Sequence, residues 1–448
     1  MINDKAVFFS RMLTELTLSF HIIYATLGVG VPLMIMIAQW VGIKKNDEHY
    51  ILLARRWTRG FVVTVAVGVV TGTAIGLQLS LLWPNFMELA GNVIALPLFM
   101  ETFAFFFEAI FLGIYLYTWD RFDNQKKHFL LLIPVALGAS FSAVFITIVN
   151  AFMNAPQGFR IANGELVDVN PIKAMFNPAM PTKVSHVVAT AFMMSAFVLA
   201  SIAAYRLLRG SNHIYHKKAL ALTVKVGLIF SIASLLIGDF SGKYLAKYQP
   251  EKLAAAEWHM ETGTKAPLVV FGVRDGDEVK YALKIPFALS ILAGDSPSAE
   301  VIGLDQYKKE DTPPLYIHYL FDTMVSIGTL MILISFLYWL GLKMNWSFIK
   351  SKIFRWLLVA GGPLTVIAME AGWWLAEVGR QPWILRGIMR TSEGATTSNQ
   401  VDLMLLLFCL LYLILGIGSI VVLIRMFRNN PIERELADRA SAKGGERS

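Results

Sequence analysis

The sequence is poor in cysteine and in charged residues, and both shortages limit what the protein can be. Only one cysteine, Cys409, occurs in 448 residues, which excludes a disulfide framework, a cysteine-based metal site and a paired-cysteine attachment motif. Charged residues make up 16% of the chain, against about a quarter in an average soluble protein. Hydrophobic residues make up 56%, and the mean hydropathy is +0.55. This balance is typical of a polytopic helical membrane protein.

Nine apolar runs are long enough to cross the roughly 30 Å of hydrocarbon in a bilayer. Because helices satisfy their own backbone hydrogen bonds in lipid, the sequence predicts an all-α integral membrane protein, with one transmembrane domain over residues 1–448. The predicted spans are 14–42, 57–82, 94–118, 128–152, 186–208, 219–243, 316–342, 352–376 and 402–427. The first run is too long for a cleavable signal and is predicted to remain as a membrane helix.

Lysine and arginine are concentrated in alternate connections, namely the first, third, fifth and seventh, and in the C-terminal tail. The positive-inside rule therefore predicts that the N-terminus lies outside and that residues 430–448 form a polar cytoplasmic tail. This distribution also accounts for the net charge of +8, so a nucleic-acid partner is not predicted. Arg380, Arg386 and Arg390 depart from the pattern, since they share one outer connection and must have another role.

The connection between the sixth and seventh spans, residues 244–315, is much longer than the others. It is too polar to cross the membrane, and its alternating stretches 266–273 and 281–289 are predicted to form short strands. Long connections in compact proteins are more often functional than not. The alternative is an insertion without a function.

Two pairs of glutamates lie in apolar spans, where ionisable side chains are costly and mark functional sites. Glu101 and Glu108 lie on the third span, and Glu370 and Glu377 lie on the eighth. A spacing of seven residues is about two helical turns, so each pair shares one helix face. The pattern predicts a proton path or a cation site, with the two helices lining one polar interior. The alternative is a structural hydrogen-bonding role. Arg380 is close enough in sequence to pair with Glu377.

Three histidines lie in or at the edge of apolar spans: His21, His186 and His318. A neutral imidazole in apolar surroundings is a common iron or copper ligand, although it can also form a hydrogen bond to a neighbouring helix. The remaining histidines, which we expect in polar loops, are His49, His128, His213, His216 and His259. Met324 is ordinary core filling by itself, but a His/Met pair would be a haem ligand set.

The unusual residues gather in the outer half of the predicted membrane, beneath the long connection. A transporter is expected to place its site near the midplane. The clustering of histidine and glutamate on one side therefore favours a redox centre that the long connection serves.

Several motifs together resemble those of subunit I of the cytochrome bd-type quinol oxidases. They are WDRF (Trp119–Phe122), GDFSG (Gly238–Gly242), KLAAAE (Lys252–Glu257) and GRQPW (Gly379–Trp383). With the segment around His21 and the Glu101/Glu108 helix, they follow the order of that family over nearly the whole chain. Residues 244–315 lack the extended insertion of some relatives, so the chain resembles a member with a short quinol loop.

The resemblance implies three haems: a low-spin haem b, a high-spin haem b and a haem d. His186 and Met324 match the axial ligands of the low-spin haem, whereas His21 and Glu377 match ligands of the two high-spin haems. Further positions match cofactor-binding residues near the haems: Trp373, Arg380, which could pair with a propionate, and Gln381.

Other functional positions also follow from the resemblance. Glu101 and Glu108 match the acids of a proton path to the oxygen site. Lys252 and Glu257 match positions of the quinol-binding loop. Asp322 departs from the family's pattern, because some members have arginine at this position. The difference affects how quinone or a propionate is held near Met324.

The resemblance implies a subunit of a quinol:oxygen oxidoreductase in a bacterial or archaeal cell membrane. Quinol would be oxidised at the outer face, and O2 would be reduced to water with cytoplasmic protons, so that a gradient forms without pumping. A second membrane subunit is implied as a partner, with a small single-helix subunit as a further candidate. The alternatives are a cyanide-insensitive oxidase with b haems only and, from another class, a proton- or cation-coupled transporter.

Overall fold

Nine helices of the computed structural model are long and apolar enough to cross a membrane, counted over the residues that it describes, 4–122, 124–275 and 278–437. They are α1 (Asp4–Lys45), α2 (Glu48–Leu82), α3 (Pro84–Tyr117), α5 (Leu132–Asn154), α7 (Met180–Leu208), α8 (Ile214–Tyr248), α11 (Ile317–Lys343), α12 (Lys352–Val378) and α14 (Val401–Asn429). The predicted spans are therefore confirmed. The tail predicted over 430–448 lies outside the described residues from 438 onward.

Shorter elements fill the connections. The short helices are α4 (Gln125–Phe129), which continues into α5, α6 (Pro171–Met175), α9 (Pro250–Ala256), α10 (Ala288–Gly294) and α13 (Thr391–Gly394). The strands are β1 (Arg160–Ala162), β2 (Glu165–Val167), β3 (Leu268–Val270), β4 (Val273–Asp275), β5 (Glu278–Lys280), β6 (Leu283–Ile285), β7 (Trp383–Leu385) and β8 (Met389–Arg390). They form four antiparallel pairs: β1–β2, β3–β6, β4–β5 and β7–β8.

The helix boundaries follow ordinary capping chemistry. The side chains of Asp47 and Ser351 cap α2 and α12 by accepting hydrogen bonds from backbone N–H groups. Pro84 begins α3, where the missing proline N–H would have no helical partner in any case. Between these ends each helix satisfies its own backbone, as a membrane requires.

The connections divide the molecule into two ends. The end that we call the long-connection end carries the start of α1 and the connections 155–179, 249–316 and 379–400. The opposite end, here the basic end, carries the connections 46–47, 118–124, 209–213 and 344–351 and the residues after α14. The long connection predicted over 244–315 thus runs from 249 to 316, because α8 extends to Tyr248.

Helices α7, α8, α11 and α12 form a four-helix bundle at the centre of the fold. Helix α1 packs on α7 and on α2, while α3 packs on α5. The largest apolar cluster includes Phe61, Tyr115, Phe197 and Phe354, all of them buried. Helix α14 is the most exposed span, with 11% of its most apolar window buried. The candidate site therefore has to be sought around the central bundle and α1.

The long connection packs onto the outer ends of α11 and α12. Its predicted strands are confirmed: β3 pairs with β6, and β4 pairs with β5 inside that hairpin. Helix α9 packs on α8 and α11, and the side chains of Leu253, Ala255 and Ala256 are buried. This segment is a folded cover rather than a loose insertion.

The loop prediction is wrong for three histidines. His49 and His216 lie in the first turns of α2 and α8, where His216 is buried, and the third is His128. His128 is fully buried, because α4 folds back against the end of α3 and places the ring in parallel contact with Tyr115, with centroids 4.3 Å apart. Its Nε2 lies 2.9 Å from the Tyr115 carbonyl oxygen, and its Nδ1 lies 3.4 Å from the Gln39 side chain. His128 is thus a hydrogen-bonded core residue at the basic end.

Candidate functional site

His186 lies on α7 and faces a glycine of α8. The buried Nδ1 of its ring has no hydrogen-bond partner within the described part of the chain. Opposite it is Gly238 of the GDFSG motif, where a Cβ atom would lie 3.9 Å from His186 Cε1. A buried imidazole nitrogen without a partner is costly unless a ligand engages it.

Met324 lies on α11 and faces a glycine on α12. A Cβ atom at Gly372 would lie 3.0 Å from the Met324 sulfur, which is too close for an undisturbed contact. Because α7, α8, α11 and α12 pack together, His186 and Met324 project from the same bundle. A nitrogen and a sulfur ligand beside two glycines fit a flat macrocycle whose iron takes one ligand from α7 and one from α11.

His21 lies on α1, and α2 fixes which of its nitrogens carries the proton. Thr71 donates its hydroxyl hydrogen to the Val67 carbonyl oxygen at 2.8 Å, so its oxygen must accept from His21 Nδ1, also at 2.8 Å. This leaves the lone pair on Nε2 for a metal, as in other metal-binding histidines whose second nitrogen is held by a hydrogen bond. The fit supports a ligand function for His21.

Glu377 is held at the end of α12 by two neighbours. Its Oε1 accepts from the side-chain amide of Asn150 on α5, and its Oε2 lies 2.5 Å from Arg380 Nη2. Arg380 also donates to the Ile384 carbonyl oxygen, and its buried Nε has no partner among the described residues. Removing one member of a buried ion pair costs about 3–5 kcal/mol. The predicted Glu377–Arg380 pair is therefore confirmed and fixes the carboxylate.

Two lysines lie near the Glu377–Arg380 pair: Lys252, which the sequence predicts as a site residue, and Lys183, which it does not. Lys183 on α7 donates to the Asn150 side-chain oxygen at 2.8 Å, and Lys252 on α9 donates to the Ala376 carbonyl oxygen at 3.1 Å. Burial lowers the pKa of Lys252 to about 8. With Arg380, these side chains place three nitrogen donor groups around one carboxylate. Such an excess of donors suits anionic groups, including the propionates of a haem.

Lys252 and Glu257 point to different places, although both belong to the KLAAAE motif. Lys252 reaches the end of α12, whereas Glu257 lies beside Asp322 of α11. Glu257 is fully buried, and within the described residues neither carboxylate oxygen makes a hydrogen bond of ordinary geometry, although the Val269 N–H lies nearby. Burial raises the pKa of the Glu257 carboxyl well above its usual value, and the negative charge of Asp322 raises it further.

Asp322 and His318 form a second buried pair on α11, with 3.1 Å between Asp322 Oδ2 and His318 Nε2. The Trp258 indole stacks on the His318 ring, with centroids 3.9 Å apart. Asp322 also accepts the backbone N–H of Phe271, in the turn between β3 and β4. The spacing of four residues on a predicted helix is the signal that could have found this pair.

Glu101 and Glu108 face α5 rather than α12, so the prediction that the two acid pairs line one polar interior is wrong. Glu101 accepts from the Ser142 hydroxyl at 2.9 Å. Glu108 is buried where α3 closely approaches Gly138, at which a Cβ atom would lie 2.9 Å from the Glu108 nitrogen. Glu370 instead lies beside Ser19 of α1. The acids of α3 therefore contact α5, whereas Glu370 of α12 contacts α1.

The remaining predicted cofactor residues lie around the outer end of α12. Trp373 packs with Ile22 of α1 and Met194 of α7, between the His21 helix and the central bundle. The Gln381 side-chain oxygen accepts from the Thr391 hydroxyl at 2.9 Å, so Gln381 braces the chain after α12.

All three arginines that departed from the positive-inside pattern are paired with acids. Besides the Arg380–Glu377 pair, Arg386 contacts Glu251 at 2.6 Å and Arg390 contacts Asp311 at 2.6 Å. The acids come from α12, α9 and the long connection. The arginines therefore fasten the outer segments together instead of contributing net positive charge.

Residues 9–431 match the protein family described as "Cytochrome bd terminal oxidase subunit I". The chain belongs to this family. The predicted family, the helical membrane fold, the quinol oxidase activity and the location in a bacterial cytoplasmic membrane are thereby confirmed, and the transporter alternative is set aside.

Curated relatives of this bd-type subunit extend over most of its length. A "Putative cytochrome bd menaquinol oxidase subunit I" of Bacillus subtilis is 42% identical, over 95% of this chain and 98% of that protein. A "Cytochrome bd ubiquinol oxidase subunit 1" of the same organism is 31% identical, over 91% of each chain. A bd-II ubiquinol oxidase subunit 1 of Escherichia coli is 27% identical, over 94% of this chain and 96% of that protein.

A solved structure agrees with the fold. The bd oxidase from Geobacillus thermodenitrificans is 71% identical and superimposes with a TM-score of 0.93, over 96% of this chain and all of that chain. Membership of the family implies haem cofactors and other oxidase subunits. The types of haem and the residues that hold each one are the subject of the proposal below.

Proposed function

We propose that this quinol oxidase subunit binds quinol beneath residues 249–316 and holds three haems in the outer half of the membrane. The observation that carries the proposal is the position of Glu257. This buried acid of the long connection stands between Ala256 and Trp258, which both contact His318, the partner of Asp322. Asp322 lies only two residues before the haem-ligand candidate Met324. A quinol bound at Glu257 would therefore lie next to the first electron acceptor.

The proposed haem ligands are those that the resemblance to the family implies, and the surroundings of His186, Met324, His21 and Glu377 support them. His186 and Met324 hold a low-spin haem b, while His21 and Glu377 are the single protein ligands of a high-spin haem b and a haem d. When bound, the haems supply electron transfer and the reduction of O2 to water. Trp373 packs between α1 and the central bundle, and Arg380, Lys183 and Lys252 offer donors to propionates.

Glu257 and Lys252 have different roles in quinol oxidation. Glu257 accepts a hydroxyl proton from quinol at its carboxylate, which its open oxygens and its position under the long connection allow. Lys252 keeps a positive charge beside Ala376 and the Glu377–Arg380 pair, where it stabilises negative charge. The two residues thus connect the quinol side of α9 with the haem side.

Glu108 and Glu101 carry protons from the basic end, which we place on the cytoplasmic side, towards the oxygen site. Glu108 is two helical turns, about 10 Å, nearer that end than Glu101. The Ser142 hydroxyl extends the route from Glu101 to α5. Protons released from quinol leave on the outer side, so charge is separated across the membrane without pumping. This orientation agrees with the lysine and arginine at the basic end.

Two further membrane subunits complete the proposed assembly: a second large subunit and a small single-helix subunit. Helix α14 and the outward face of α3 offer the surfaces, since Phe99, Phe103 and Phe106 of α3 are largely exposed. Large exposed apolar patches of this kind are covered by lipid or by partner helices.

The proposal is tested by a dithionite-reduced minus oxidised spectrum of the purified oxidase complex, with pyridine haemochrome analysis. We expect bands of b-type haem and the long-wavelength band of a chlorin. In the His186→Ala variant the low-spin bands should disappear while the high-spin bands remain. If the wild-type complex showed b-type bands only, the third haem would be a haem b and not a haem d. Retention of every band in His186→Ala would overturn the ligand assignment.

A further inference from the structure

The tip of the long connection, Phe271–Gly272, is held down by three side chains of α11. The Phe271 N–H donates to Asp322, the Phe271 carbonyl oxygen lies 3.2 Å from His318 Nε2, and the Tyr319 hydroxyl donates to the Gly272 carbonyl oxygen at 2.9 Å. Phe271 has a φ of 53°, a left-handed conformation that is unfavourable for a residue other than glycine. The α11 side chains therefore hold the tip in a conformation that it would not adopt by itself.

His318 is a fixed donor at this tip. Its Nδ1 lies 2.7 Å from the Ala256 carbonyl oxygen, and its Nε2 faces both Asp322 and the Phe271 carbonyl oxygen. Since a carbonyl oxygen only accepts, a ring nitrogen that hydrogen-bonds to one of these two carbonyl groups is the donor of that bond. The Trp258 indole stacked on the ring fixes its plane. His318 and Asp322 thus present one donor and one acceptor side by side, in a fully buried position.

Beside this pair lies Glu257, a fully buried carboxyl whose two oxygens make no hydrogen bond of ordinary geometry in the part of the chain described. A buried polar group without partners is expensive, and in a native fold it calls for a ligand. The Trp258 indole covers one face of the His318 ring, and the Phe271–Gly272 tip covers the Nε2 side, where Asp322 lies.

The backbone of Phe271 imitates one hydroxyl group of a quinol. Its N–H donates to Asp322 and its oxygen accepts from His318, and a phenolic hydroxyl can do both through a single oxygen atom. We propose that His318 and Asp322 bind a quinol hydroxyl next to Glu257, and that the Phe271 peptide is an internal substitute which quinol displaces. This inference rests on the proposed quinol site and adds its binding residues and its gate.

Tyr319 allows the gate to be tested without a change to His318 and Asp322. Among the contacts described here, its hydroxyl contacts only the Gly272 carbonyl oxygen. Tyr319→Phe weakens the internal substitute and leaves His318 and Asp322 in place. Loss of one hydrogen bond should therefore lower the KM for menadiol by about fivefold. Tyr316→Phe is the matched control, since Tyr316 lies at the same end of α11 and is half exposed. Its KM should equal that of the unaltered complex.

His318 has to be tested in the Tyr319→Phe background. In the unaltered complex His318 bonds to the Phe271 peptide and would bond to quinol. Its loss therefore weakens both the internal substitute, which lowers the KM, and the binding of quinol, which raises the KM. Once Tyr319→Phe has opened the gate, adding His318→Leu should raise the KM for menadiol by about tenfold. An equal KM in the single and double variants would remove His318 from the binding site.

Hydrogen–deuterium exchange gives a direct reading of displacement. The purified oxidase complex is compared with and without menadiol under argon, so that no turnover occurs. A ligand normally slows exchange where it binds, but here the amides of 268–275 should exchange faster with menadiol, because Phe271 loses Asp322. The hairpin 383–390 is the reference segment and should not change. Unchanged or slower exchange of 268–275, with an unchanged KM in Tyr319→Phe, would overturn the inference.

Glu257→Gln distinguishes this failure from failure of the quinol site itself. If the variant keeps its haem bands but loses menadiol oxidation, the site stands, and only the gate is judged by the Tyr319 and exchange results. If the variant oxidises menadiol normally, quinol is oxidised elsewhere and both proposals fall.

Discussion

His21 and Thr71 are joined across α1 and α2 by a hydrogen bond in which the imidazole Nδ1–H is the donor. Thr71→Val keeps the shape and removes the acceptor. Loss of such a partner lowers metal affinity by about 10–100-fold, so one high-spin haem should be partly lost or altered in its spectrum. Haem content and the reduced-minus-oxidised spectrum of the purified complex check this. Thr73→Val is the control, because Thr73 is exposed and bonds only to its own helix. A normal high-spin spectrum in Thr71→Val would contradict the role.

Gly372→Ala should disturb the low-spin haem through Met324. The added Cβ atom would lie 3.0 Å from the sulfur, so Met324 has to move away from its present position. Because methionine ligation raises the potential of a haem, we expect a lower midpoint potential of the low-spin haem in a spectroelectrochemical titration. Gly328→Ala on α11 is the control, because nothing lies within 4 Å of its added carbon. Identical potentials in both variants would argue against Met324 as a ligand.

Glu108→Gln should slow oxygen reduction while the haem content stays the same. The amide cannot carry a proton, and loss of a proton-transfer group costs about 10²–10⁴-fold in rate where that step limits. Oxygen consumption with saturating quinol measures the effect. Glu88→Gln is the matched control, since Glu88 lies on the same helix in an exposed position. Full activity in Glu108→Gln would leave the proton route without support.

The pH dependence of quinol oxidation should have two limbs. Burial raises the pKa of Glu257, and only its deprotonated form accepts a proton, so kcat/KM should increase as the pH rises towards that pKa. The pKa of Lys252 is about 8, so its charge is lost above that pH and kcat/KM should fall. The residual activity of Glu257→Gln should lack the rising limb. Lys252→Arg should move the falling limb to higher pH, because arginine stays charged. An unshifted falling limb in Lys252→Arg would mean that another group titrates there.

Local pattern was enough to predict the spans, the short strands and the Glu377–Arg380 pair. Helical periodicity and hydropathy act over a few turns, and those features need nothing more. The same geometry also explains the different directions of Lys252 and Glu257, since five residues turn a helix by roughly 140°. That separation was readable from the sequence, although the shared motif suggested one site.

Contacts between distant segments were not readable. Lys183 meets Asn150 and Asp322 meets Phe271 only because the helices pack as they do. His128 was assigned to a loop because its neighbours are polar, but a five-residue helix turns it into the core. Burial of a polar residue depends on which element covers it, and no short stretch of sequence specifies that.

Two of the three arginine–acid pairs have a mechanical consequence. Arg386–Glu251 and Arg390–Asp311 join residues 386–390 to the long connection through charged contacts, so these segments form a stiffened rim around the mouth of the site. The Phe271–Gly272 tip is tied to α11 and to no member of that rim in the contacts described here. Thermal motion at this end of the molecule should therefore concentrate in the tip. The rate at which the tip opens then sets an upper limit on the rate at which the oxidase binds quinol.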